Sequence, residues 1–158
     1  MKLIPPILLM FALLTGCSSF DQNQRKSAKE VESFTHREGV LTIFSLDPNL
    51  PDEEVPDAFH RYRVLGRTVV TNAGQKEDLL RKLAESIRRN EGEVAACFNP
   101  RHGLRFEADG KQVDMVICFE CRSADVYGSS VENFLLTGHG KAEFDAVLTG
   151  QGIPPGEE

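Results

Sequence analysis

The period of apolar positions changes along the chain, and those changes lay out an order of elements. Val40 to Leu46 alternates well enough for a strand, which Asp47-Pro48 ends. Asn49 to Asp57 holds Pro51, Pro56 and four acids, the composition of a surface loop. A second strand is expected over about His60 to Thr71, bent at Gly66. From Gly74 to Asn90 the period becomes helical. Leu79, Leu80, Leu83, Ala84 and Ile87 share one face, Arg88 and Arg89 suit the negative end of the helix dipole, and Gly92 is placed to end it.

Three more strands are predicted, over Glu93 to Phe98, Gly103 to Ala108 and Lys111 to Cys121. Asp109-Gly110 between the last two is a strong two-residue hairpin signal. Such a turn sets Leu104 opposite Met115 and Phe106 opposite Val113 on one face. On the other it sets Arg105 opposite Asp114, an opposite-charge pair. Val126-Tyr127 and Val131 to Leu136 read as short strands, and Lys141 to Leu148 as a short final helix. The order predicts a two-layer α+β domain, with one main helix and a short C-terminal helix on a largely antiparallel sheet.

The N-terminal quarter reads differently. Leu3 to Leu14 is an apolar run behind Lys2. It is interrupted by Pro5-Pro6 and falls short of the about 20 apolar residues that a membrane-spanning helix needs. This is the pattern of an export signal. Leu14-Thr15-Gly16-Cys17 closely resembles the lipobox of bacterial lipoproteins. The resemblance implies that residues 1–16 are a signal peptide removed before Cys17 and that lipid is attached to Cys17. Ser18 in the next position resembles lipoproteins sent to the outer membrane of Gram-negative cells, facing the periplasm. Residues 17–38 have the polar, mixed-charge composition of a tether, partly helical near Lys29 to Phe34. A single domain is then expected over 39–154, followed by a tail at 155–158.

The 158 residues carry 18 Lys and Arg against 24 Asp and Glu, a net charge of −6. No nucleic-acid partner is expected, because sequence-independent binding needs basic patches to meet phosphates. The membrane partner is therefore expected through lipid rather than through charge.

With Cys17 assigned to lipid, Cys97, Cys118 and Cys121 remain, an odd number in an exported chain. A one-residue bulge at Asn99-Pro100 would bring Cys97 opposite Cys121, and a disulfide between them suits an oxidising compartment. The alternative is metal: Cys97, His102, Cys118 and Cys121 form a C-x4-H…C-x2-C set of zinc-binding type. Against it, Cys118 and Cys121 would point to opposite faces of a regular strand. A third reading keeps Cys118 as a free thiol near Arg101. His36, His60 and His139 have no partner that the sequence identifies. No cofactor is expected, with zinc as the alternative. No nucleophile elbow, phosphate loop or H-E-x-x-H occurs, so no catalytic residue is assigned.

Phe44-Ser45-Leu46-Asp47-Pro48, Val64 to Val70, Cys97 to Gly103 and Asp114 to Cys121 together resemble a group of small bacterial proteins. That group has a CF-x-PRHG…ICFEC core and a C-terminal helix ending near Gly-Ile-Pro. The resemblance covers most of Val40 to Pro154 and implies domain limits and a grouping of motifs, with no activity attached. The expected function is a non-enzymatic binding or structural module of the cell envelope, with an envelope protein or small ligand as partner. The alternative is a thiol, disulfide or zinc protein.

Overall fold

The computed structural model describes residues 16–156, and of Gly16, Cys17 and Ser18 the backbone alone. The expected signal peptide up to Thr15 and the side chain of Cys17 lie outside the described residues. The fold is α+β: six antiparallel strands with helices packed on one face.

The strands are β1 (Val40–Leu46), β2 (Val64–Val69), β3 (His102–Ala108), β4 (Lys111–Cys118), β5 (Ser123–Tyr127) and β6 (Asn133–Leu135), in the spatial order β2-β1-β3-β4-β5-β6. The β3–β4 register is the expected one, with Leu104 opposite Met115, Arg105 opposite Asp114 and Phe106 opposite Val113. Asp109 and Gly110 both take positive φ, 53° and 71°, as this turn requires.

One sheet face carries Leu41, Ile43, Leu104, Phe106, Met115 and Ile117, all buried under the helices. The main helix, α2 (Ala73–Arg89), turns Leu79, Leu80, Leu83, Ala84 and Ile87 into that core. Asn72 caps its start by accepting from the Gln75 N–H at 2.9 Å. At its end, Asn90 Oδ1 accepts from the N–H groups of Gly92 and Glu93, and Asn90 Nδ2 donates to the Glu93 and Leu136 carbonyls. A short C-terminal helix, α3 (Lys141–Thr149), adds Phe144, Val147 and Leu148.

The segment expected as a tether is a third helix, α1 (Gly16–Ser33), packed against α2 and the β6 edge. Its inward face is Gln24, Ser27, Ala28 and Val31, and Phe34 just after it stacks on Phe106 with ring centroids 4.4 Å apart. Gln24 makes this packing specific. Its Nε2 donates to the Leu135 carbonyl at 2.8 Å and its Oε1 accepts from the Leu135 N–H at 2.9 Å, so the amide pairs with the open edge of β6 as a strand would. Ser129 Oγ meets Glu30, and Lys26 reaches the Ser130 carbonyl, tying the β5–β6 connection to the same helix.

The other sheet face is covered at one end by the 47–63 excursion, where Phe59 and Tyr62 pack on Phe44, Leu46 and Val116. The excursion approaches closely because residue 103 is glycine: a Cβ there would lie 2.8 Å from the Phe59 ring. Three expected strands are shorter than the sequence suggested, β6 being Asn133–Leu135 alone. Phe59 to Tyr62 is a tight turn, so β2 starts at Val64, and β4 stops at Cys118. The expected strand over Glu93 to Phe98 is absent. Residues 91–97 are exposed and irregular, anchored by Asn90 on one side and by the Ala95 N–H to the Cys121 carbonyl at 2.9 Å on the other. The chain folds on to Gly156, a buried residue whose added Cβ would lie 2.3 Å from the Leu46 carbonyl oxygen.

Candidate functional site

The expected cysteine and histidine cluster falls at the end of the sheet where β4 turns into β5. Cys118 is the last residue of β4 and pairs with Ser123. The four residues between them make a tight turn, with the Arg122 N–H donating to the Phe119 carbonyl and Arg122 itself at φ 61°. This turn brings Cys118 and Cys121 together with Cα atoms 5.1 Å apart, and they form a disulfide. The expected Cys97–Cys121 pairing is therefore corrected. It required an extended 93–98 segment with a bulge, and that segment is not a strand. Cys118 and Cys121 do not point to opposite faces as expected, because side chains alternate only along a strand and β4 has ended at Cys118.

Both bonded sulfurs belong to fully or almost fully buried residues, and each receives a backbone N–H. Cys121 N–H points at Cys118 Sγ at 3.1 Å, and Asn99 N–H at Cys121 Sγ at 3.2 Å. Cys97 is a free, exposed thiol. His102 faces the opposite side of the sheet, among Phe119 and Phe144. Cys97, His102, Cys118 and Cys121 are thus not brought together as a ligand set, and a disulfide offers no thiolate to a metal. Among the described residues no group of three or more His, Cys, Asp or Glu is placed to hold an ion.

His102 is instead the buried head of a polar chain that runs out to the surface. It is fully buried on β3, and its Nε2 lies 2.8 Å from Asp145 Oδ1 on α3. Lys141, one helical turn earlier, donates to Asp145 Oδ2 at 2.8 Å, and Glu120 lies 3.6 Å from both Lys141 Nζ and Arg101 Nη1. The hydrogen bond from His102, assisted by Lys141, holds the Asp145 carboxyl down at about 2. With the proton on Nε2, Nδ1 is buried and has no hydrogen-bond partner among the described residues. The chain ties β3, α3 and the disulfide turn into one rigid end.

A second histidine–carboxylate pair lies on the other sheet face, and the sequence reading passed over it. Asp114 is almost fully buried and accepts four bonds, two from Arg105 at 2.8 Å, one from Gln112 Nε2 at 3.0 Å, and one from His60 Nε2 at 3.1 Å. The His60 ring stacks on Tyr127 with centroids 3.6 Å apart. His60 takes a φ of 58° at the first central position of the Phe59–Tyr62 turn, where glycine is usual. Burial and the nearby Asp125 charge raise the Tyr127 hydroxyl above its ordinary value. Arg105 was legible as the partner of Asp114 through the hairpin register. His60 was not, because its approach depends on a turn fifty residues away in sequence.

No family profile, curated protein or solved structure matches the chain.

Proposed function

We propose that this chain is a lipid-anchored module of the bacterial cell envelope that works by contact rather than by catalysis. It would be cleaved before Cys17, acylated there and held at the outer membrane facing the periplasm. The observation that carries this reading is the sequence Leu14-Thr15-Gly16-Cys17 behind a short apolar run. Only a thiol can take the lipid, and small residues before it admit the peptidase. Two or more acyl chains anchor stably where one does not.

The reading as a contact module is supported by how the polar groups are spent. Asp114 accepts four hydrogen bonds and Asp145 one each from His102 and Lys141, so both carboxylates serve to lock elements together. The disulfide closing Cys-x-x-Cys is the feature that favours the alternative, a thiol–disulfide protein. Burial of both sulfurs instead makes it a staple for the β4–β5 turn.

The test is metabolic labelling with a radioactive fatty acid in cells making the full chain or its Cys17→Ser variant. The full chain is expected to take label and sediment with membranes. The variant should stay unlabelled and uncut. Absence of label on the full chain, or normal cutting of the variant before residue 17, would overturn the reading.

A further inference from the structure

The start of α1 and the chain leaving α2 lie at the same end of the α1–α2 pair. The two helices are antiparallel: Gln24 of α1 bonds the Ile87 carbonyl near the end of α2, while Lys76 near the start of α2 bonds the Arg37 carbonyl just past α1. At 1.5 Å per residue, Cys17 stands roughly 10 Å further along the axis than Gln24. The chain leaving α2 emerges at this same end as Glu91 to Cys97, seven consecutive exposed residues. Val94 is 56% exposed, and Ala95, Ala96 and Cys97 follow it, an apolar tip with no apolar face packed on it among the described residues. Three of the ion pairs lie beside the tip, while the exposed Glu91 has no ion-pair partner among the described residues. Arg122 pairs with Glu93, Arg89 with Glu85 and Arg101 with Glu120.

We infer that the Val94–Cys97 tip is a second membrane contact, seated in the lipid surface beside the acylated Cys17. The inference rests on the lipid-anchor reading. Such a tip is too small to hold a free protein at a bilayer. Next to a covalent lipid, however, its local concentration at the surface is high enough for a weak apolar contact to set orientation. The lipid surface is favoured as occupant because the acylated residue projects from the same end, on a helix packed to the domain by Gln24, Ala28 and Val31 rather than on a slack tether.

The native thiol of Cys97 supplies the probe. The mature lipidated chain, labelled at Cys97 with a fluorophore, is inserted into vesicles of phosphatidylethanolamine with a minority of phosphatidylglycerol. Nitroxide lipids then report proximity. A control carries the fluorophore at the opposite end of the sheet, in a Cys97→Ala, Lys111→Cys chain. Flotation with at least about threefold stronger quenching at 97 than at 111, lost in Val94→Glu and in Ala96→Glu, is the expected result. Flotation with equal quenching at the two positions, or with quenching unchanged by the acidic variants, overturns the docked tip and leaves the anchor intact. Failure to float overturns the anchor, and the tip contact with it.

Discussion

Asp145 and Asp114 show how one residue type answers to two surroundings. Asp114 is buried and takes its charge balance from Arg105 across the hairpin. Asp145 is a quarter exposed and is held at about 2 chiefly by the hydrogen bond from His102. A carboxyl depressed in the folded state stabilises the fold above its unfolded value, near 3.9, and that contribution disappears as pH falls toward 2. Asp145→Asn is therefore expected to cost about 1 kcal/mol in urea unfolding at pH 7, allowing for solvent screening. The gap to the unmodified protein should close between pH 4 and 2. A gap that stays constant over that range would assign the loss to packing instead. His60 is the other residue of note: a non-glycine at φ 58° carries backbone strain, and its side-chain contacts with Asp114 and Tyr127 offset it.

At the scale of elements, α1 illustrates how a helix can hide from a hydrophobicity pattern. Two of its inward positions are Gln24 and Ser27, so the apolar face is thin and the segment reads as polar tether. Those polar residues are inward because they complete hydrogen bonds: Ser27 to the Asn23 carbonyl, Gln24 to the β6 edge and the Ile87 carbonyl. Gln24→Glu keeps an oxygen for the Leu135 N–H but loses the donor to the Leu135 and Ile87 carbonyls. It should cost about 1–3 kcal/mol and speed amide hydrogen exchange in β6 while leaving β3 and β4 protected. Unchanged exchange in β6 would mean that the edge is not held by Gln24. The β3–β4 hairpin stands at the other extreme. Asp109-Gly110 and the alternation on both sides are purely local signals, and its register was readable in full. Glu93 to Phe98 misled for the opposite reason, because a short apolar run carries strand character without saying whether any strand edge is free to receive it.

For the whole molecule, fold class, main helix and C-terminal helix were legible because each rests on periodicity within a dozen residues. The site was legible only in part. The sequence grouped Cys118, Cys121 and His102, yet the pairing partner of each depended on where β4 stopped and on what α3 brings to His102. The strand order has a further consequence, and it concerns time. From β3 to β6 each strand neighbours the next in sequence and is joined to it by a short connection, whereas β1 reaches β3 only across β2 and all of α2. Contacts close in sequence cost the least chain entropy to form, so the β3–β6 meander is expected to close early and the β1–β2 arm to dock late. In stopped-flow experiments Met115→Ala should slow folding, while Thr68→Ala should act mainly by speeding unfolding. The reverse pattern would place the nucleus in the arm. On this order the chain spends its first moments as a half-sheet whose β3 edge is bare, and arrival of β1 is the event that ends its exposure to other strands.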